Sequence, residues 1–289
     1  MNGLFGARYP IIQAPMATNQ PASLAGVVSQ AGALGSIAGA VLSPEDLRAA
    51  IREVRALTDA PFAVNLFAPP YALDGQLEVV LEERVPVFSF TLGVFDPGPL
   101  HEAGCVVHGT ATTVEEARYL EAAGVDAIVA QGAEAGGHRG TFLGPLEEAL
   151  VPLAELVPAV VDAVSVPVVA AGGIVDGAGI KRAFELGARC AQLGTAFLFT
   201  PECGRPREHL EALREYDTVV TPAYTGRHMR AARTPVLEEL MAGPPPLPFP
   251  QQRAVSAALG PLFMGGTGAK RARELPVAEL VETLVAEAT

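Results

Sequence analysis

Several large protein classes are excluded by what this sequence does not contain. No apolar run approaches the roughly 20 residues that a bilayer-spanning helix needs. The opening stretch, MNGLFGARYPIIQAPM, lacks the basic, apolar and small-residue zones of a secretory signal, so a cytoplasmic location is expected. Positive charge is scarce: 20 Lys and Arg stand against 32 Asp and Glu, for a net charge of −12. A surface of that sign repels phosphate backbones and argues against nucleic acid as a partner. There are only three cysteines, Cys105, Cys190 and Cys203, and none forms a C-x-x-C pair. They suggest neither a disulfide framework nor a metal cage, and read as buried thiols in a reducing compartment. A G-x-G-x-x-G turn with an acidic partner is missing, as is a P-loop, which argues against a Rossmann-type dinucleotide site.

What is present is a repeated rhythm. The 289 residues, 49% of them hydrophobic, suffice for one large barrel or two ordinary domains. SQAGALGSI, HEAGCVVHG, EAAGVDAIVA and ELGARCAQLG each show a helix-like end, a glycine and a short apolar run. Glycine closes the helix in the left-handed conformation, and the apolar run reads as a buried strand. Helices that repeatedly feed strands imply a parallel sheet. Strands are expected near Ile11–Ala14, Leu34–Ile37, Phe62–Leu66, Val87–Phe90, Cys105–Val107, Ala127–Ala130, Val168–Ala170 and Ala191–Leu193. Helix starts are marked by Ser43-Pro44-Glu45-Asp46 and by the capping-box spacing of Thr113 and Glu116. Ile180, Ala183, Phe184 and Gly187 share one helical face.

Eight alternations in about 200 residues favour a closed (β/α)8 TIM barrel over an open doubly wound sheet. The expected organisation is a barrel core over 1–200, an appended helical lid over 201–260 and a C-terminal segment, 261–289, whose amphipathic helix returns to the barrel. Catalytic groups of such a barrel project from the loops after the strands. Gln13 to Met16, Asn65, Thr91, the run His108-Gly109-Thr110 and the loop QGAEAGGHRGTF all fall at that end. So do AAGGI after the seventh strand and LGTAF after the eighth. Gly172 and Gly173, with Gly194 and Thr195, would let backbone N–H groups approach a ligand at the common phosphate site of this fold. A substrate phosphate and a cofactor phosphate both fit. A mononucleotide across the barrel mouth would place its ring near the amides of Asn65 and Gln131.

His138, threaded between glycines at the catalytic end, is the expected base, since imidazole titrates near pH 6.5 when unperturbed. Its protonated form would also attract an anion. His108 is the rival base, while His101, His209 and His228 read as surface or structural. Glu134 would orient His138 or meet a ring edge, Met16 would form a soft platform, and Arg139 would hold an anion or a surface salt bridge.

IIQAPMA, AGALGSI, PFAVNLFAP, TTVEEARYLEAAGVDAIVAQGAEAGGHRG, VPVVAAGGIVDGAGIKRAFELGARCAQLGTAFLFTPE and DTVVTPAYTGRHMR together resemble the nitronate monooxygenase family, over about 1–230. The resemblance implies an FMN-binding TIM barrel that oxidises alkyl nitronates with molecular oxygen. Carried over by position, it puts FMN against Ala14, Pro15, Met16, Asn65, Gln131, Gly136, Gly173, Gln192, Leu193, Gly194 and Thr195, with His138 as catalytic histidine. Two departures stand out: His108 where the family often has serine, and MGGTG (264–268) where it has AGQ. The rivals are an FMN-dependent reductase of the enoyl-ACP reductase type, which shares the QGAEAGGH pattern and needs a nicotinamide donor, and a flavin-free phosphate-ligand barrel. A homodimer is expected from the apolar helical appendage.

Overall fold

The structure, a computed structural model, describes residues 3–17 and 20–289. Its strands are β1 (Ile11–Gln13), β2 (Gly35–Ala38), β3 (Phe62–Phe67), β4 (Val87–Thr91), β5 (Val106–Ala111), β6 (Ala127–Gln131), β7 (Gly137–His138), β8 (Val168–Ala171), β9 (Cys190–Leu193), β10 (Thr218–Thr221) and β11 (Met229–Ala232). All but β7, β10 and β11 form one parallel sheet in the order β1-β9-β8-β6-β5-β4-β3-β2. The ring closes between its ends: Gln13 N–H donates to the Leu34 carbonyl, and Leu34 N–H to that of Ile11. This is a (β/α)8 TIM barrel.

Strand parity separates its two cores. Ile12, Leu34, Ala63, Val87, Val129, Val169, Ala171 and Cys190 fill the interior. Their alternates, among them Val64, Leu66, Phe88, Phe90, Ile128, Ala170 and Leu193, face the surrounding helices. Those helices include α1 (Ala22–Gln30), α2 (Pro44–Leu57), α3 (Gln76–Glu82), α4 (Gly98–Glu102), α5 (Val114–Ala123), α6 (Leu153–Ala163), α7 (Gly177–Glu185) and the single turn α8 (Thr195–Leu198). Ser43 caps α2 by accepting from Asp46 N–H, and Asp176 caps α7 by accepting from Gly179 N–H.

The capping box at α5 is only half made. Thr113 accepts from Glu116 N–H, but the buried Glu116 carboxylate turns elsewhere. It accepts from Thr112 N–H at 2.6 Å and from Phe142 and Leu143 N–H at 2.6 and 2.9 Å. A residue whose spacing suggested a local cap thus pins the far end of the histidine loop.

The region 201–260 is not wholly helical. It holds α9 (Arg207–Glu215), α10 (Pro235–Ala242) and α11 (Gln251–Ser256), but also the antiparallel hairpin β10–β11. The hairpin captures the short strand β7, pairing Met229 with His138 and Arg230 with Gly137. Apolar alternation over Thr218–Thr221 is short and half-buried, which is why the strand pattern escapes sequence inspection. The final helix, α12 (Val277–Ala288), packs on α7 and α1. Among the described residues, no helix is long and apolar enough to cross a membrane.

Candidate active site

A cavity of about 290 Å³ opens at the carboxyl ends of the barrel strands. Its floor comes from three strands in register: Asn65 on β3 lies beside Ser89 on β4, and Ser89 beside His108 on β5. Asn65 Nδ2 donates to Ser89 Oγ at 2.9 Å. His108 lies within its strand rather than in the loop after it, because β5 runs on to Ala111, while Asn65 lies inside β3 as expected.

His108 is 2% exposed and stacks on Phe5, ring centroids 5.1 Å apart. Among the described residues, neither ring nitrogen meets a hydrogen-bond partner. Burial pushes its pKa down to about 4, against a small opposing pull from Asp126. Buried polar groups are otherwise almost always paired, so this orphaned imidazole lining a cavity points to a polar ligand beside it.

One wall is built from turns. Ala14, Pro15 and Met16 follow β1, and Met16 N–H donates to Gln20 Oε1 at 2.8 Å. Gly172 and Gly173 follow β8, both with left-handed φ, at 133° and 70°. Gly194 and Thr195 follow β9, and Gly266 N–H donates to Thr195 Oγ1 at 2.9 Å. Gly136 meets the returning C-terminal segment so closely that a Cβ there would lie 2.5 Å from Gly266 N. The MGGTG departure therefore borders the site, with Met264 and Gly265 in its lining.

Of the residues expected here, Ala14, Pro15, Met16, Asn65, Gln131, Gly136, His138, Gly173, Gln192, Gly194 and Thr195 all line the cavity. Leu193 does not. Parity turns its side chain, 1% exposed, outward into the helix-facing core, and only its carbonyl works locally by accepting from Ala14 N–H. The Gln131 amide is partly spent on the loop, with Oε1 accepting from Gly140 N–H and Nε2 donating to the His138 carbonyl.

The histidine loop is braced from behind. Arg139, 1% exposed, donates to the carbonyls of Gly132, Gln131 and Ala149 at 2.7, 2.9 and 3.1 Å. Three of its N–H groups are thus spent on backbone carbonyls, and among the described residues it makes no salt bridge. Glu134 accepts from Leu153 N–H at 3.1 and 3.0 Å, so it fixes the loop base and does not orient His138. His101 pairs with Asp126 on the surface, and the buried His209 bonds the Met264 carbonyl.

His138 itself stands half-buried under a roof that sequence inspection missed. Phe249 and Phe67 meet its ring edge-on at 5.2 and 6.5 Å, and Thr225 Oγ1 lies 3.1 Å from Nε2. Arg253 on α11 lines the mouth beside Phe249 and Pro250. The only sequence signals were an aromatic inside the proline-rich GPPPLPFP and a threonine in DTVVTPAYTGRHMR, neither of which shows its destination without the fold. Burial, with Arg227 and Arg253 nearby, pushes the His138 pKa down to about 3. The ring is therefore neutral near pH 7, the form in which a histidine can act as a base.

These depressed values make a stability statement. Above pH 6.5 a histidine is neutral in both folded and unfolded chains; below it the unfolded chain takes up a proton that folded His108 refuses until about pH 4. Stability is therefore complete above pH 6.5 and drains away as pH falls through that window. Between pH 6.5 and 5, His108 alone accounts for about 2 kcal/mol, and half-buried His138 adds in the same direction. Urea unfolding at pH 7.5 and 5.0 should show an acid loss smaller by that amount in His108→Phe. Equal losses in variant and wild type would remove the assignment.

The same architecture recurs in known proteins. The family model for nitronate monooxygenase matches residues 1–287. The chain belongs to the nitronate monooxygenase family. A nitronate monooxygenase of Pseudomonas aeruginosa is 40% identical, over 98% of this chain and 97% of that protein. A probable nitronate monooxygenase of Bacillus subtilis is 38% identical over 88% and 85%. The crystal structure of a nitroalkane oxidase from Streptomyces ansochromogenes superposes with a TM-score of 0.91 at 37% identity, covering 98% of this chain and 96% of that one. FabK from Thermotoga maritima follows at 0.83 and 34%, covering 99% and 94%. Membership in the nitronate monooxygenase family makes this protein an oxidoreductase, and its family segments are the ones that converge on the cavity.

Proposed function

We propose that this cavity binds FMN and oxidises alkyl nitronates with molecular oxygen, and that His138 also lets it accept neutral nitroalkanes. The observation that carries the reading is the pairing of an orphaned imidazole at the cavity floor with two glycine turns at its wall. Both features suit a ligand with a polar ring edge and a phosphate. A Cβ at Gly194 would make only ordinary contacts, so the turn after β9 leaves room for a ligand. The turns at Gly172–Gly173 and Gly194–Thr195 would hold the phosphate, Ala14 to Met16 and Asn65 would border the ring, and His108 would offer its nitrogens from below. When bound, FMN supplies the electron transfer and the oxygen chemistry.

The protein's own part is to orient, to exclude water and to move a proton. Phe67 and Phe249 shield His138 from bulk solvent. Neutral imidazole takes the proton from the carbon beside a nitro group; the electron pair of the broken C–H bond moves onto the nitro oxygens and leaves the nitronate. Arg253 at the mouth and Arg227 behind it supply the positive field that draws this anion toward a protein of net charge −12. Three buried cysteines, none of them in a disulfide among the described residues, support a reducing, cytoplasmic setting.

The test is anaerobic mixing of the yellow protein with ethyl nitronate and, separately, with NADH. Bleaching of the flavin by the nitronate, with NADH slow or inert, is the expected result. Fast bleaching by NADH alone would favour the reductase of the enoyl-ACP type, and protein that stays colourless after FMN is added would favour a flavin-free barrel.

A further inference from the structure

Several polar atoms converge on one buried hydroxyl. Thr225, 0% exposed, stands in the connection between β10 and β11. Its Oγ1 lies 2.8 Å from the Arg227 carbonyl oxygen, 3.3 Å from the Arg227 amide nitrogen and 3.1 Å from His138 Nε2. A threonine hydroxyl has one proton and two lone pairs. The carbonyl oxygen can only accept, so the single Thr225 proton is committed to Arg227. What remains on Oγ1 is acceptor capacity. The Arg227 N–H uses part of it, and His138 Nε2 faces the rest. Two acceptors at 3.1 Å would repel, so Nε2 must carry hydrogen.

Neutral imidazole carries hydrogen on one nitrogen only. With Nε2 as the donor, Nδ1 holds a bare lone pair. Among the described residues no hydrogen bond is made to Nδ1, although the ring lines the cavity.

We infer that Thr225 is a positioning residue: it locks His138 in the Nε2–H tautomer and so makes Nδ1 the atom that receives the substrate proton. The catalytic half of this inference rests on reading His138 as the base for neutral nitroalkanes; the tautomer itself does not. In the step, an N–H bond forms at Nδ1 as the substrate C–H bond breaks, and the released electron pair resides on the nitro group. No oxidant is consumed. The imidazolium keeps its Nε2–H on Thr225 Oγ1, where the bond strengthens because the donor is now charged. Without the hydroxyl, nothing on this side of the ring chooses between the nitrogens, and a fraction of molecules presents an N–H to the substrate in place of a base.

The tautomer can be read directly. In protein as purified, labelled with ¹⁵N-histidine, the two ring nitrogens of His138 are assigned by comparison with His138→Gln. The expected spectrum shows Nε2 protonated and Nδ1 bare. In Thr225→Val, which keeps the shape and loses the hydroxyl, the Nδ1–H form should appear, and turnover of neutral nitroethane should fall about tenfold or more. Preformed ethyl nitronate needs no deprotonation, so its turnover should stay within about twofold of wild type. Thr225→Ser should restore both the spectrum and the nitroethane rate. A protonated Nδ1 in the wild type, an unchanged tautomer in Thr225→Val, or equal loss on both substrates that serine does not rescue would each overturn the inference. If wild-type protein turns over neither substrate, the proposed function fails, and the spectrum alone decides the tautomer.

Discussion

His138→Ala should lower the turnover of neutral nitroethane by about 10²- to 10⁴-fold, the usual worth of a positioned general base. That range corresponds to about 2.7–5.5 kcal/mol of barrel-mouth barrier height. Ethyl nitronate should suffer far less, because its proton has already gone. The contrast between the two substrates is what identifies the role. A residue that merely binds substrate would raise KM for both, whereas a base is felt in the rate for the one that still holds its proton. The pH profile carries the same information. His138 is pushed down to about 3, so its basic form is complete throughout the neutral range, and no acid limb near pH 6.5 should come from this group. Burial is the main cause, the charges of Arg227 and Arg253 add to it, and Thr225, Phe67 and Phe249 are the neutral groups packed on the ring. Equal rates for His138→Ala and wild type on nitroethane would remove His138 as base.

How much of this was legible in the sequence follows from how local each signal is. The barrel was legible because each helix-glycine-strand unit is written within a dozen residues: Gly124 takes φ 94° to end α5, and β6 follows at once. The strand-end residues were legible for the same reason, since the fold places every loop after a strand on one face. Leu193 was misread because a turn was taken whole, while strand parity sends Gln192 inward and Leu193 outward. Glu116 was only half legible because, besides nearby Thr112, its carboxylate reaches Phe142 and Leu143 across the loop, and Arg139 turns inward to carbonyls of its own loop. Phe249 and Thr225 were invisible as site residues for a stronger reason. They arrive from an insertion some 90 to 110 positions beyond His138, and no spacing rule links a proline-rich segment to a barrel mouth.

Gly194→Leu should yield folded but colourless protein. The choice of position matters. Gly172 and Gly173 adopt φ of 133° and 70°, so any side chain there strains the backbone, and a lost ligand would be indistinguishable from a damaged fold. Gly194 has φ −102° and ψ −63°, at the edge of the right-handed helical region and free of the left-handed strain of Gly172 and Gly173. A Cβ there would sit 3.4 Å from Ala14 Cβ and 3.9 Å from Met16 Sδ, ordinary contacts both. The remaining leucine atoms then have to enter the cavity, in the space between the turns after β8 and β9 where the phosphate is proposed to lie. Two hydrogen bonds to a charged phosphate, at about 1.5–3 kcal/mol each, are lost or stretched. FMN affinity should therefore fall by about 10²- to 10⁴-fold, while the unfolding midpoint of ligand-free protein stays within about 3 °C of wild type. Fluorescence titration with FMN and thermal unfolding of the apo forms measure the two quantities separately. Wild-type affinity in a leucine variant would mean that these turns do not hold the phosphate, whatever the family resemblance implies, and the ring would then have to be placed by Asn65 and His108 alone.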